Sequence, residues 1–257
     1  MKENIELKEN ERIDDLEYKG LKMIQNKEGF CFGIDSILLS DFAKGIKKGA
    51  KVLDLGTGTG IIATLLCGKT DLSEITGIEI QEEVADMANR SIKLNHLEDK
   101  FKIIQDNILN LNNHFEKNTF DAIVTNPPYK KKETGIQNED TRKLISRHEI
   151  EANIEDFIKI SKDMLKDKGE FYIVYRPERL VDLLSVMRKY KIEPKRIRFV
   201  YSNIHTVSKL VLVQGVKNAR PFLKLEPNLY IYDENGNYTD EILNIYHKES
   251  NKKWFYK

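Results

Sequence analysis

The sequence predicts an α/β fold, in which helices cover both faces of a mostly parallel sheet. Short apolar runs typical of buried strands alternate with stretches of helical periodicity along much of the 257 residues. A glycine-rich loop joins one strand to a helix within residues 52–62, and another apolar run ends at Asn126-Pro127-Pro128-Tyr129. Open α/β sheets bind ligands beyond the carboxyl ends of their strands, so each of these two stretches is a candidate binding site.

The composition is that of a globular chain long enough to bury a sizeable core. No apolar stretch approaches the roughly 18 residues of a membrane span, and the polar N-terminus does not resemble a signal peptide. The two cysteines, Cys31 and Cys67, lie far apart without metal-ligand spacing, which favours packed thiols in a reducing cytoplasm and argues against a metal site. The net charge of +1 leaves nucleic-acid binding to local basic patches.

Three segments are predicted along the chain. Residues 1–45 are expected to form a loose arm, a hairpin and a helix, residues 46–216 the main domain, and residues 217–257 a C-terminal extension. The first helix is expected to begin near Ile34, with Asp35 or Ser36 as its N-cap. The alternative role for this helix start is to close over a ligand at the sheet edge.

Turn residues and periodicity place the other elements. The predicted hairpin pairs residues 21–25 with residues 30–32, around a turn at residues 26–29. A helix over residues 155–165 is expected to stop at Lys168-Gly169. The main strands are expected at residues 52–55, 75–80, 101–105, 120–125, 170–175, 198–201 and 207–213.

The loop Gly56-Thr57-Gly58-Thr59-Gly60 indicates a cofactor site, since glycines let the backbone turn sharply and let a ligand approach the main chain. Dinucleotide-binding enzymes use similar loops, so the three glycines alone are not decisive. Asp54 precedes the first glycine by two residues, and a carboxylate there suits a ligand that carries an ammonium and repels a pyrophosphate. The loop also lacks the G-x-G-x-x-G spacing of the dinucleotide fingerprint.

Acidic residues lie at the ends of the next two predicted strands. Glu79, followed by Ile80, comes about 20 residues after the loop, a spacing that places a carboxylate on a ribose diol. Asp106 and Asn107 follow the third strand, where Asp106 could accept a hydrogen bond from a purine amino group. The alternatives are a solvated strand-end acid for Glu79 and a turn-forming role for Asp106.

The stretch Asn126-Pro127-Pro128-Tyr129 has the groups needed to hold a planar amino group. The two prolines end the strand and force Asn126 into an extended conformation. The side-chain carbonyl of Asn126 and the backbone carbonyl of Pro127 are acceptors, and the ring of Tyr129 can stack on a π-system. A proline-rich structural loop is the alternative interpretation.

A long polar stretch follows Tyr129 and has no clear periodicity. Loops of this length inside compact domains are usually functional or disordered. Its basic residues make it a candidate nucleic-acid contact, with a solvated charged loop as the alternative. The candidate contacts are Lys130, Lys131, Lys132, Arg142, Arg147 and His148.

In this order, the glycine loop, the strand-end acids and the NPPY stretch resemble the class I methyltransferases that use S-adenosyl-L-methionine, in the branch that methylates amino or amide nitrogens. The resemblance covers about residues 30–216. Residues 29–39, GFCFGIDSILL, resemble the N-terminal motif of the bacterial tRNA1(Val) (adenine-37-N6)-methyltransferase family, which narrows the resemblance to that family. Residues 146–149, SRHE, resemble that family's A-R-H-E, with Ser146 in place of alanine.

The resemblance implies a Rossmann-like class I methyltransferase fold with a seven-stranded sheet whose last strand is antiparallel. It implies that the strand-end acids hold the cofactor's ribose and adenine, and that residues 126–129 hold the target base. The chain departs from the family at Lys130-Lys131-Lys132, where a hydrophobic residue is common. The expected cofactor-binding residues are Asp54, Gly56, Thr57, Gly58, Gly60, Glu79, Ile80, Asp106, Asn107 and Asn126.

The implied activity is transfer of a methyl group from S-adenosyl-L-methionine to N6 of adenine in tRNA, by a cytoplasmic monomer without a metal. Ribosomal-RNA guanine N2 methyltransferases are one alternative, although they tend to have Phe or Trp where Tyr129 stands. Protein-glutamine N5 methyltransferases that act on release factors are another, but they usually carry a helical N-terminal domain. A non-catalytic binding module is disfavoured by the intact Asp54, Glu79 and Asn126.

Overall fold

The computed structural model describes residues 6–27, 33–128 and 152–246. The strands are β1 (Glu11–Asp15), β2 (Lys22–Asn26), β3 (Lys51–Leu55), β4 (Glu74–Glu79), β5 (Phe101–Gln105), β6 (Phe120–Thr125), β7 (Leu165–Tyr175), β8 (Ile192–Tyr201), β9 (Ser208–Lys217), β10 (Lys224–Leu225) and β11 (Leu229–Tyr230). The helices are α1 (Ile34–Phe42), α2 (Ile61–Lys69), α3 (Glu82–Leu94), α4 (Ile154–Met164), α5 (Leu180–Lys189) and α6 (Asp240–Ile245). Two 3-10 helices cover Ile108–Asn113 and Pro177–Arg179.

The main sheet has the strand order β5-β4-β3-β6-β7-β9-β8. Strand β9 runs antiparallel to both of its neighbours, and the pairs on the other side of β7 are parallel. The predicted mostly parallel sheet with an antiparallel last strand is therefore confirmed. The strand count differs from the predicted seven, because two strands of two residues each, β10 and β11, add to the outer edge at β8 and give nine strands within the described residues.

The carboxyl ends of the central strands form one row. Leu55 at the end of β3 pairs with Thr125 at the end of β6 and with Ile78 of β4, and Glu79 pairs with Gln105 of β5. The chain fills the sheet on one side of β3 and then crosses to β6 on the other side, so the strand order reverses between β3 and β6. Such a switch point opens a crevice beyond the strand ends, where α/β proteins bind ligands.

Alternating side chains of the strands form two cores, one on each face of the sheet. Along β7, Tyr172 and Val174 join the core under α1, α2 and α6, while Phe171 and Ile173 join the core under α4 and α5. The sheet is thus buried on both faces, as expected of a parallel sheet. None of the helices in the described parts of the chain is both long and apolar enough to span a membrane.

The N-terminal hairpin differs from the predicted one. Strand β2 pairs with β1, with Glu11 opposite Asn26, and residues 30–32 lie outside the described part of the chain. The polar, acidic composition of residues 1–18 suggested a loose arm, which is wrong for the described residues 6–18, because they contain β1 and pack against the domain. Glu11 receives two hydrogen bonds of 2.6 Å from the guanidinium of Arg90 on α3, and Tyr18 is buried. A bidentate pair of this kind anchors a charged segment whose apolar content is low.

The end of α4 also differs from the prediction. The helix ends at Met164, and β7 begins at Leu165, so Lys168-Gly169 lies inside the strand. The pairing of β6 with β7 shifts register here, and a Cβ on Gly169 would lie 2.9 Å from the carbonyl oxygen of Lys166. The glycine therefore marks an irregularity in a strand and does not cap a helix.

The described residues beyond Lys217 pack against the main sheet. Ile242 and Ile245 of α6 are buried in the core that contains α1. The guanidinium of Arg198 on β8 donates to Glu241 over 2.6 Å, and that of Arg196 donates to Glu226 over 2.7 Å. These arginines thus join the C-terminal segment to β8.

Candidate active site

The glycine loop lies at the crevice between β3 and β6. Gly56, Gly58 and Gly60 have φ angles of +67°, +58° and +87°, in the left-handed region that favours glycine. The loop is held by a hydrogen bond of 2.9 Å from the Thr57 amide to the Ile78 carbonyl, and by one of 3.0 Å from the Gly60 amide to the Thr57 carbonyl. A Cβ on Gly58 would meet no atom within 4 Å, so the loop leaves open space at this point.

Two buried carboxylates flank the loop. Asp54 is fully buried; its Oδ2 accepts from the Thr57 hydroxyl over 2.7 Å, and its Oδ1 has no partner among the described residues. Burial raises the pKa of Asp54 to about 7, with a further contribution from nearby Glu79, although the Thr57 hydrogen bond opposes the shift. Glu79 accepts from the amides of Gly58 (3.0 Å) and Gln81 (2.9 Å), and burial raises its pKa too. A buried, unpaired carboxylate oxygen fits a cationic ligand group.

Asn126 follows β6 directly and lies on the other side of the switch point. The hydroxyl of Thr125 donates to the carbonyl of Leu55 over 2.8 Å, which ties the ends of β6 and β3 together. The side-chain Nδ2 of Asn126 donates to Oδ2 of Asp35 over 2.9 Å and to the hydroxyl of Ser36 over 3.3 Å. The start of α1 is thereby held against the strand end that carries the NPPY stretch.

The expected capping role of Asp35 or Ser36 is wrong. The N-cap of α1 is Gly33, and no side chain caps this helix. Asp35 lies in the first turn, where its carboxylate reaches Asn126 across the crevice edge. The structure thus brings this helix start to the strand ends, as the alternative interpretation required.

The sequence that forms this site matches a known family. Residues 33–190, more than half of the chain, match the family described as "Methyltransferase small domain". The chain belongs to this family. The match begins at the N-cap of α1 and includes the glycine loop, both strand-end acids and the NPPY stretch.

The curated relatives of this methyltransferase include enzymes named tRNA1(Val) (adenine(37)-N6)-methyltransferase. The Porphyromonas gingivalis enzyme is 27% identical, over 83% of this chain and 86% of the relative. The Mannheimia succiniciproducens enzyme is 25% identical, over 88% of this chain and 90% of the relative. The family resemblance seen in the sequence is confirmed by these relatives.

Solved structures of low sequence identity share the fold. A predicted O-methyltransferase from Agrobacterium tumefaciens is similar with a TM-score of 0.66 and 16% identity, covering 83% of this chain and 95% of the other. The geranyl diphosphate C-methyltransferase of Streptomyces coelicolor, solved with S-adenosyl-L-homocysteine, is similar with a TM-score of 0.52 and 13% identity, covering 72% of this chain and 78% of the other. Both support the class I methyltransferase fold.

Two residues near the loop were not singled out in the sequence. Gln25 on β2 donates from Nε2 to the hydroxyl of Thr59 over 3.0 Å, which links the N-terminal hairpin to the loop. Gly77 on β4 lies under Thr57: a Cβ there would be 2.7 Å from Cγ2 of Thr57 and 2.8 Å from Cδ1 of Ile103. A glycine inside an otherwise apolar strand is the signal that could have revealed such a close approach.

Replacing Gly77 with alanine should therefore destabilise the protein. The added methyl group overpacks the contact with Thr57, which at such sites costs roughly 1–3 kcal/mol. Urea denaturation measures the loss of unfolding free energy. Gly45→Ala is the matched control, since a Cβ there meets nothing within 4 Å and its variant should be as stable as the wild type. Equal stability of both variants would contradict the packing role of Gly77.

The residues that directly follow β4 and β5 include the remaining candidate cofactor-binding residues that the structure describes. Ile80, directly after β4, is 46% exposed. The Asp106 carboxylate accepts a hydrogen bond from the Asn110 side chain over 2.7 Å and is hydrogen-bonded to Nε2 of His114 over 2.6 Å. Both contacts lower the pKa of Asp106, and the contact with His114 has the larger effect. The side chain of Asn107 accepts from the Leu109 amide and caps the 3-10 helix. Asp106 is thus oriented by two residues that the sequence did not reveal, and its contact with a purine stays a prediction.

The structure places only part of the predicted base-holding and RNA-binding set. Pro127 is buried and Pro128 is exposed. Within the described residues, no group of three or more His, Cys, Asp or Glu could hold a metal ion. The candidates outside the described residues, whose roles stay predictions, are Tyr129, Lys130, Lys131, Lys132, Arg142, Arg147 and His148.

Proposed function

We propose that this methyltransferase transfers a methyl group from S-adenosyl-L-methionine to the exocyclic N6 of adenine in tRNA, at adenine 37 beside the anticodon. The observation that carries the proposal is the register of Leu55 with Thr125, which sets Asn126 beside the glycine loop. The relatives named for this activity, aligned over most of the chain, support the same target. The proposal includes tRNA as the partner and a monomer that acts in the cytoplasm without a metal.

The described residues fit S-adenosyl-L-methionine, which when bound supplies a methyl group on a positively charged sulfonium. Its methionine end carries an ammonium, which suits the unpaired Oδ1 of Asp54 and the open space at Gly58. A carboxylate has about four lone-pair positions, so Glu79 can accept from a ribose while it holds the amides of Gly58 and Gln81. The exposed side chain of Ile80 offers an apolar surface to the adenine ring. Asp106, directly after β5, lies nearby, since its amide donates to the carbonyl of Glu79 over 3.0 Å.

The chain's own part in the reaction is to hold the target amino group. Because Asp35 can only accept, Nδ2 of Asn126 must point towards Asp35, and the carbonyl Oδ1 points elsewhere. That carbonyl and the backbone carbonyl of Pro127 can accept both hydrogens of the amino group and so direct its lone pair. As the N–C bond forms, positive charge develops on N6, and acceptors fixed in advance stabilise it. The leaving proton passes to solvent, since the product ammonium is strongly acidic.

The target is tested by methylation with labelled cofactor. The purified protein is incubated in parallel with total tRNA, ribosomal RNA and a release factor, and the labelled product is identified after digestion. We expect N6-methyladenosine in tRNA, lost when adenine 37 of the substrate is replaced by guanine. N1-methyladenosine, N2-methylguanosine or methylglutamine as the main product would contradict the proposal.

Reversing the charge of Lys130, Lys131 and Lys132 should weaken tRNA binding. Each lost phosphate contact removes about 0.9 from the slope of log K against log salt, so the salt dependence should also become shallower. Filter binding at several salt concentrations measures both effects, and cofactor affinity should be unchanged. The control is Lys48→Glu. This exposed lysine precedes β3 and pairs with Asp71, which precedes β4, so the pair lies at the amino ends of the strands, away from the crevice. An unaltered slope in the triple variant would identify the lysines as a solvated loop.

A further inference from the structure

The contact between α1 and Asn126 is a specific hydrogen bond between two polar side chains, which apolar packing alone does not explain. Asp35 and Asn126 are 91 positions apart in sequence, yet the carboxylate and the amide meet at 2.9 Å. Among the described residues Asp35 forms no salt bridge, so an ion pair does not account for its position. Its described side-chain contacts are the Asn126 amide and the backbone amide of Ser36.

We propose that Asp35 is a positioning residue that fixes the side chain of Asn126 for the target base, a role that rests on the proposed function. An asparagine amide can turn over and exchange its N and O with little change in shape, and only one orientation presents the carbonyl to an amino group. A carboxylate has no donor, so Asp35 stabilises only the orientation in which Nδ2 faces α1. The buried hydroxyl of Ser36 is a second acceptor for the same Nδ2, at 3.3 Å.

The local backbone is shaped to hold the Asp35 carboxylate in this position. Its Oδ1 accepts from the Ser36 amide over 2.9 Å, which leaves Oδ2 for Asn126. A Cβ on Gly33 would lie only 2.8 Å from that Oδ1, so a side chain at this position would displace the carboxylate. The first turn of a helix also favours a negative charge, because its amide dipoles point their positive ends there.

The charge of Asp35 acts through the amide as well. An acceptor on the Nδ2 side polarises the amide and makes its carbonyl oxygen more negative, since hydrogen bonds in a chain strengthen one another. The carbonyl of Asn126 then becomes a better acceptor as positive charge develops on the target nitrogen. Asp35 therefore contributes mainly to the rate of methyl transfer and little to the binding of tRNA.

The kinetic test compares Asp35→Ala with Asp35→Asn. Misplacement of a reacting group by about 1 Å can cost on the order of a hundredfold in rate, so Asp35→Ala should lower the single-turnover rate by about that factor. The dissociation constant for tRNA should change less than about twofold, because phosphate contacts dominate it. Asp35→Asn retains an acceptor for Nδ2, so its single-turnover rate should be at least about tenfold higher than that of Asp35→Ala.

A matched control lies on the same helix. Asp41 pairs with Lys44 and Lys69 and does not contact Asn126, so Asp41→Asn should keep the wild-type rate. Melting temperatures are recorded for all three variants. If both Asp35 variants lose rate and melting temperature equally, the role is structural and the proposal is overturned. An unchanged rate in Asp35→Ala overturns it as well.

A readout without substrate or cofactor separates this proposal from the proposed function. In NMR spectra of the 15N-labelled protein, one of the two side-chain amide protons of Asn126 should be shifted downfield and should exchange slowly with water. That proton is the one hydrogen-bonded to the Asp35 carboxylate. Asp35→Ala should remove the shift, and Asp41→Asn should keep it. If the wild type methylates no nucleic acid, the proposed function fails, yet these spectra still decide whether Asp35 orients Asn126. Identical Asn126 signals in wild type and Asp35→Ala would refute the contact.

Discussion

Replacing Asn126 with alanine should lower the single-turnover rate of tRNA methylation about a hundredfold or more. Its carbonyl interacts most strongly with the amino group when positive charge has developed there, and loss of one such fixed partner costs roughly 2.7–4 kcal/mol in the transition state. The affinity for tRNA should barely change, since phosphate contacts supply most of it. Rapid-quench measurement with enzyme in excess gives the rate, and filter binding gives the affinity.

Variants at Tyr129 provide the comparison for this result. Tyr129→Phe keeps the ring and should keep most of the activity, whereas Tyr129→Ala should lose a stacking contribution of roughly 1–3 kcal/mol. A structural role for the NPPY stretch has a different signature: Asn126→Ala would weaken cofactor binding and leave the single-turnover rate intact. That outcome would contradict the role of Asn126 in holding the base.

The row of strand ends could be predicted because local patterns encode it. Apolar runs followed by a glycine, an acid or a proline are short-range signals, and the parallel sheet then aligns the residues that follow them. The structure places Gly56, Glu79, Asp106 and Asn126 at or just after the ends of four adjacent strands. Strand β9 was expected to be antiparallel from the family resemblance, and no local signal for its direction was identified.

The contacts that orient the site could not be predicted, because they join distant parts of the chain. The bond between Asp35 and Asn126 depends on the angle at which α1 packs on the sheet. The capping interpretation of Asp35 used only its sequence neighbours. Those neighbours are compatible both with a helix cap and with a contact at the sheet edge. Likewise, His114 reaches Asp106 only because a 3-10 helix turns the chain back after β5.

Polarity and glycine each misled the interpretation where packing decided the structure. Residues 6–18 have few apolar side chains, but Glu11 is fixed by Arg90 on α3, 79 positions away. Gly169 has the sequence context of a helix end, but the requirement it meets is space in β7 beside the carbonyl of Lys166. In both cases the deciding contact was made by a residue whose position the sequence pattern did not specify.

The affinity for S-adenosyl-L-methionine should rise about tenfold or more between pH 5.5 and pH 7.5. Burial raises the pKa of Asp54 to about 7 in the cofactor-free protein, so at pH 5.5 this carboxyl is mostly protonated and cannot pair with an ammonium. Deprotonation creates the charge that the ammonium requires. The interval ends at pH 7.5, because a free α-amino group has a pKa of about 7.7–8.0 and is mostly deprotonated above that range. Calorimetric titration across this interval measures the dissociation constant, and Asp54→Asn should abolish most of the rise.

The same pKa predicts an opposite effect on stability. The folded-state pKa of Asp54 lies above its ordinary value of 3.8, so the folded state holds the extra proton at intermediate pH. The stability this group contributes is complete below about pH 4 and is lost as the pH rises through 7. Asp54→Asn removes that loss and should stabilise the cofactor-free protein at pH 8, by up to about 4 kcal/mol at 1.36 kcal/mol for each pKa unit. Urea denaturation at pH 5 and pH 8 should show a gain at both values, smaller by about half or more at pH 5 because only part of the loss has occurred there.

Asp121 on β6 is the matched control, because its pKa is shifted in the other direction. Burial raises this pKa, but hydrogen bonds from Lys47, the Lys51 amide and Lys166 outweigh burial and lower it to about 2. The stability from Asp121 is therefore present at neutral pH and lost only as the pH falls towards 2. Asp121→Asn should destabilise the protein at pH 8. It should leave the pH dependence of cofactor binding unchanged. If Asp54→Asn also destabilises the protein at pH 8, the buried carboxylate is favourable without its ligand, and the site is not built around a cationic group.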